Sequence, residues 1–269
     1  ADVRIVALDA EPGKPCDDFG DHGFISMRQY LGHVPHGFHF ITSPPMLAKN
    51  RLITGGWIFD NQANFEPSGA IRAFDATTGE IAWAWDAGHQ PETWKPGPDD
   101  VLTPDTPNGW GVYTADLNLG LVYIPTGNSP PDNWGGTRRP FDDATSSATI
   151  ALDIVTGERR WSYQTVHHHL WAMDIPSGPS MVDLPGANGE SVPALVQSTK
   201  RGEFFVLDRR TGETVPGYPV EERPVPTAGV APDDHVSPTQ PYPAAMPSLT
   251  PPDLKERDMW GATLLDQMI

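Results

Sequence analysis

The chain has 269 residues, of which 38% are hydrophobic, enough for a sizeable core, and 18 basic against 35 acidic side chains give a formal net charge of −17. That charge argues against a nucleic-acid or anionic-membrane surface as the main partner and leaves a small neutral ligand as the better match. The 30 Pro, 26 Gly and 9 Trp point to many turns with aromatic packing between them, and the single Cys16 excludes an internal disulfide framework.

Ala1 leads directly into a strand-like segment ending at Ala7-Leu8-Asp9, without a charged start or a long apolar run, so any targeting or membrane segment is expected outside this chain. A repeat then emerges. Ala73-Phe74-Asp75-Ala76-Thr77-Thr78-Gly79, followed by Trp83, is matched by Ala151-Leu152-Asp153-Ile154-Val155-Thr156-Gly157, followed by Trp161. Weaker copies run from Ala7 through Asp9 to Gly13, where Asp17 stands in place of the Trp, and from Val206 through Asp208 and Thr211 to Gly212. Each copy reads as a strand, a tight Asp-x-x-Thr-Gly turn and a second strand. The indoles of Trp83 and Trp161 suit the space between neighbouring units. The triplet His167-His168-His169, placed on a strand, would point to alternating faces and so makes a poor zinc site. From Pro216 to Pro252 there are 11 Pro in 37 residues, too many for central strands, which predicts a long surface excursion over the face.

The Ala-x-Asp-x-x-Thr-Gly-x-x-x-Trp pattern resembles the tryptophan-docking motif of the pyrroloquinoline quinone (PQQ) dehydrogenases. Further blocks resemble the membrane-bound quinoprotein glucose, quinate and shikimate dehydrogenases: Thr42-Ser43-Pro44-Pro45, Asp60-Asn61, Asn108 to Trp110, Asp132 to Gly136, Trp161 to Trp171, Phe205 to Arg210, Ser237 to Pro241 and Asp258 to Gln267. The resemblance implies an all-β fold, part of an eight-bladed β-propeller with tryptophan-docking repeats. Residues 1–269 would form a single partial propeller domain of about four blades, with the Pro-rich excursion at 216–252. An open half-propeller exposes unpaired edges, so further blades are expected before Ala1 and after Ile269.

The same resemblance implies the site. Trp110 would lie beneath the quinone, and Lys200 would contact its carbonyl and stabilise negative charge developing there. Thr42 and Ser43 would donate to a PQQ carboxylate. Asp60, Asn61 and Asn128 would hold the calcium or magnesium that polarises the quinone. Read as residues alone, Asp and Asn here are also ordinary turn formers. Where the family places its general base, an Asp after the Trp of the His-His block, this chain has Ala172, which has neither charge nor lone pair.

The function implied is oxidation of a sugar hydroxyl, D-glucose to gluconolactone, with electrons passed to membrane ubiquinone on the periplasmic side of the bacterial inner membrane. Quinate, shikimate or a polyol are alternative substrates. A non-enzymatic propeller scaffold and an inactive PQQ-binding paralogue are the other readings, the first discriminated by the set Asp60, Trp110 and Lys200, the second motivated by Ala172.

Overall fold

A computed structural model describes residues 3–250 apart from 64, 187 and 188, and beyond them 255, 258, 260–263, 265 and 266. The carboxyl-terminal Asp258 to Gln267 block and the last two prolines of the excursion therefore lie partly or wholly outside the described residues.

The chain folds into a series of antiparallel sheets. β1 (Arg4–Val6) pairs with β2 (Phe24–Ser26). After β3 (His39–Phe40) come β4 (Met46–Ala48), β5 (Arg51–Thr54), β6 (Trp57–Ile58), β7 (Ile71–Asp75), β8 (Ile81–Trp85) and β9 (Thr93–Trp94). Of these, β4-β5-β7-β8-β9 form one sheet, and β3 pairs with β6 beside it. β10 (Thr114–Asp116), β11 (Leu121–Pro125), β12 (Ala148–Asp153) and β13 (Arg159–Gln164) form a four-stranded sheet in chain order, with a short helix, α1 (Pro140–Thr145), ahead of β12. β14 (Ser180–Pro185), β15 (Ser191–Ser198) and β16 (Phe204–Asp208) form a third sheet.

The sheet of β10 to β13 has four strands and that of β4 to β9 has five. The third sheet stops at three strands. Val215 still donates to the Val206 carbonyl at 3.1 Å, but the next residue is Pro216, which has no N–H to carry the ladder on.

The central strands are buried on both faces, and alternation lets each serve two neighbours. Ala73 of β7 joins Trp83, Ile124, Ile150 and Leu152 between the sheet of β4 to β9 and that of β10 to β13, while Phe74 joins Ile5, Ile25 and Met27 on the other side. Ala151 of β12 turns away from Ile150 and Leu152 to meet Tyr123, Trp161, Leu195 and Leu207. Each fully buried large apolar side chain contributes about 1.5–3 kcal/mol.

The turns repeat their backbone geometry. Gly79, Gly157 and Gly212 have φ of 74°, 76° and 76°, a conformation glycine adopts without a Cβ penalty. In each, the glycine N–H donates to the carbonyl of the turn's aspartate, at 2.9, 2.8 and 2.8 Å. The Asp75 carboxylate accepts from the N–H groups of Thr77 and Thr78, as that of Asp153 does from Val155 and Thr156. Trp83 and Trp161 are only 3% and 8% exposed. Trp83 Nε1 donates to the Ile154 carbonyl at 3.2 Å and Trp161 Nε1 to that of Arg209 at 3.3 Å, each in the turn of the following sheet. The first repeat, lacking its Trp, is joined differently: the N–H of Gly20 donates to Thr78 at 2.8 Å.

The Pro-rich segment carries a hairpin, β17 (Val220–Pro224) with β18 (Thr239–Pro243). Val225 donates to Pro238 and Ala244 to Pro219, so the hydrogen-bonded pairs alternate with the pairs that hold Pro224, Pro241 and Pro243. The prolines thus stand where no ladder donor is needed.

Candidate functional site

Loops between the strands carry the candidate residues. Trp110, half-buried, is fixed from three directions. The hydroxyls of Thr42 and Ser43 donate to its carbonyl at 2.9 and 2.8 Å, and its Nε1 donates to Asp174 Oδ2 at 3.0 Å. A hydroxyl has one proton, so here both Thr42 and Ser43 use theirs to hold the Trp110 backbone. The ammonium of Lys200 lies 5.8 Å from the Trp110 ring centroid and donates to the Ala172 carbonyl at 3.1 Å. Ala172 is exposed, with φ +51°, a conformation that Asp and Asn tolerate far better than Ala.

A second group adjoins the first. Asn61, at φ +58° after β6, accepts the backbone N–H of Asp132 at 3.0 Å. The Asp132 carboxyl is 5% exposed. Burial first, then a hydrogen bond and like charge from Asp60, then Asp174, push it up to about 8, so Asp132 keeps its proton at neutral pH. Asn128 is buried with its amide nitrogen donating to the carbonyls of Asp132 and His169, at 2.9 and 3.2 Å, and its oxygen accepting from Ser129. Asp132 Oδ1 and Asp174 Oδ1 are buried without a hydrogen-bond partner. Gly127 lets these pieces close up, since a Cβ there would stand 2.8 Å from Asp174 Oδ2.

Asp60, Asn61, Asn128, Trp110, Lys200, Thr42 and Ser43 are thus brought into one continuous set of contacts, drawn from residues 42 to 200. Two buried carboxylate oxygens without partners, on Asp132 and Asp174, are the donor chemistry of a hard divalent cation. The half-buried indole with an ammonium above it offers a flat ligand a floor and a positive charge.

The histidine triplet follows β13 on a bend rather than lying in a strand, and its members diverge. His167 meets Gln164 and Glu222, and His168 meets Asp143 and Asp234. His169 is fully buried between the Ser147 hydroxyl and the backbone N–H of Met173. Burial, with Arg138 and Lys200 adding to it, lowers His169 to about 3, which keeps it neutral, with one nitrogen accepting from Met173 and the other donating to Ser147. It thereby sets the turn that carries Ala172.

The family model for the β-propeller domain of PQQ-dependent glucose, ethanol and alcohol dehydrogenases matches residues 1–269. The chain belongs to the PQQ-dependent dehydrogenase propeller family. It is 45% identical over 267 residues to the glycerol dehydrogenase large subunit of Gluconobacter oxydans (strain 621H), covering 99% of this chain and 36% of that protein. With the quinoprotein glucose dehydrogenase of Escherichia coli (strain K12) it shares 41% identity over 268 residues, 100% of this chain and 33% of the relative. Among solved structures, the quinohemoprotein alcohol dehydrogenase from Comamonas testosteroni superposes with a TM-score of 0.63 at 25% identity, over 91% of this chain and 36% of that one. The chain spans about a third of the length of these relatives.

Within this PQQ-dehydrogenase propeller, sequence reasoning missed Asp132, Asp174 and His169 as parts of the site. Asp132 opens the Asp132 to Gly136 block, whereas Asp174 lies three residues beyond the Trp161 to Trp171 block. Neither carries a local signal of its own, because what distinguishes them is burial beside residues distant in sequence.

Proposed function

We propose that this chain forms the PQQ-holding part of a dehydrogenase that oxidises a sugar or polyol hydroxyl. The proposal extends to an eight-bladed, tryptophan-docked propeller of which residues 1–269 supply about four blades. It also includes electron transfer to ubiquinone on the periplasmic side of the inner membrane. The observation that carries it is the convergence of Trp110 and Lys200 with the Asp60, Asp132 and Asp174 carboxylates. Membrane attachment, in this reading, lies outside the chain, and among the described residues no helix is long and apolar enough to cross a bilayer.

PQQ, when bound, supplies the two-electron acceptor. Trp110 provides its floor, held in place through Thr42, Ser43 and Asp174. Lys200 presents a positive charge toward an oxygen that gains electrons. Asp132 and Asp174, with Asp60, Asn61 and Asn128 around them, hold a calcium or magnesium ion through oxygen atoms. No carboxylate stands at position 172 to take the substrate's hydroxyl proton, so the chain as written is impaired in turnover by about 10²- to 10⁴-fold.

The relatives' names include both glycerol and glucose dehydrogenases, which makes a polyol as good a candidate substrate as glucose. The test compares the full protein with its Ala172→Asp variant in PQQ-dependent dye reduction with glucose, glycerol and quinate. A gain of at least about tenfold with one substrate supports the reading and names that substrate. Absence of any PQQ-dependent reduction in both proteins, with no PQQ bound, overturns it in favour of a scaffold.

A further inference from the structure

Sixty-six residues apart in sequence, His168 and Asp234 meet with His168 Nε2 3.0 Å from Asp234 Oδ1. His235 stacks on His168 with ring centroids 3.9 Å apart, and ligand atoms of all three residues lie within 4.8 Å of one another. We infer that His168, Asp234 and His235 form a binding site for a zinc-class transition metal, separate from the oxygen-lined cation site at Asp132.

The donor set is two imidazoles and a carboxylate, which suits zinc and its neighbours rather than calcium or magnesium. The 3.0 Å between His168 Nε2 and Asp234 Oδ1 is close to the separation of two ligands on one tetrahedral zinc, roughly 3.3 Å from bonds near 2 Å. The surroundings hold both ligands in that pose. His168 Nδ1 faces the Asp143 carboxylate at 3.0 and 3.1 Å, the outer partner that metal-bound histidines usually have. Asp234 Oδ2 accepts the N–H of Gly135 at 2.7 Å, and its Oδ1 accepts that of His235 at 2.7 Å. Gly135 leaves room for this, since a Cβ there would overlap His168 Nε2 and stand 3.1 Å from Asp234 Oδ1.

Both ring nitrogens of His168 face carboxylates, and the metal would enter between Nε2 and Asp234. The third ligand is the exposed His235 ring, which turns out of its stack to bring a nitrogen inward. The result is a clip that fastens the Pro-rich excursion to the loop carrying Asp132.

The experiment uses the full protein without PQQ, stripped of metal and supplied with calcium so that oxygen sites are filled. Zinc binding is followed by calorimetry, and cobalt(II) substitution by its visible absorption. One zinc per chain and tetrahedral cobalt bands are expected. His235→Ala, which alters an exposed ring and leaves the fold intact, should weaken zinc binding more than about tenfold. Asp143→Asn should weaken it about 10- to 100-fold. Equal zinc affinity in wild type and His235→Ala, or octahedral cobalt bands, would overturn the inference and leave a histidine hydrogen-bonded between two carboxylates. Because no readout involves PQQ or turnover, failure here is distinguishable from failure of the proposed activity.

Discussion

The indole of Trp83 packs directly on Gly157, and the same joint recurs between Trp161 and Gly212. A Cβ on Gly157 would overlap Trp83 Cδ2, and one on Gly212 would stand 2.6 Å from Trp161 Cε3. Both glycines also have left-handed backbone. Gly157→Ala and Gly212→Ala should each destabilise the protein by about 2–4 kcal/mol, overpacking added to backbone strain. Gly13 has φ +67° with nothing within 4 Å, so Gly13→Ala should cost only the strain, about 1–2 kcal/mol. Urea unfolding of the three variants checks this, and equal losses would refute the role given to the indoles.

A second expectation concerns pH in the absence of divalent cations. Asp132 has a folded pKa above its unfolded value of 3.8. Its stabilising contribution is therefore complete below that value and lost as the pH rises through about 8. Asp132→Asn should flatten this alkaline loss, and calcium should do so in the wild type by replacing the proton. Melting temperatures measured from about pH 4 to pH 9, with and without calcium, decide; parallel curves for wild type and variant would show that Asp132 is ionised in the fold.

His169 works in the opposite sense. Its folded pKa of about 3 lies below the ordinary 6.5, so its contribution is complete above 6.5 and is lost as the pH falls through about 3. His169→Gln should reduce the acid sensitivity of unfolding. It should also lower stability by about 1–3 kcal/mol, because a buried Met173 N–H or Ser147 hydroxyl loses its partner. His39, likewise buried and lowered to about 3, leaves a residual slope in that variant.

Lys200 separates charge stabilisation from cofactor binding. With Lys200→Met in the Ala172→Asp background, turnover in dye reduction should fall about 10²- to 10³-fold. PQQ affinity, read by quenching of tryptophan fluorescence, should change far less. An equal loss in both would make Lys200 a binding residue only.

What the sequence disclosed follows the range of the interactions. The turn at Asp153 is built from residues within four positions of one another, so its chemistry repeats visibly at Asp75 and Asp208. The turn from Asp116 to Gly120 has the same aspartate bonds to its backbone, at 2.9 and 3.0 Å, yet escaped notice because Leu119 stands where the repeat has Thr. Trp110 and Lys200 were legible through blocks of family resemblance. Asp132 was not, since a raised carboxyl is produced by Asp60 seventy-odd residues away and by burial that no local pattern encodes. The histidine triplet was placed on a strand because β13 continues toward it, whereas pairing ends at Gln164 and side chains beyond it answer to Ser147, Asp143 and Glu222.

The joints between sheets also impose a direction on how the protein comes into being. Trp83 finds its acceptor 71 residues later and Trp161 finds its own 48 residues later. As the chain leaves the ribosome, each sheet therefore emerges with an indole that has nothing to rest on until the next sheet's turn has been synthesised. At those moments the nascent chain presents a sticky aromatic end, and each newly made turn both buries the last one and, in the case of the sheet that carries Trp161, presents the next.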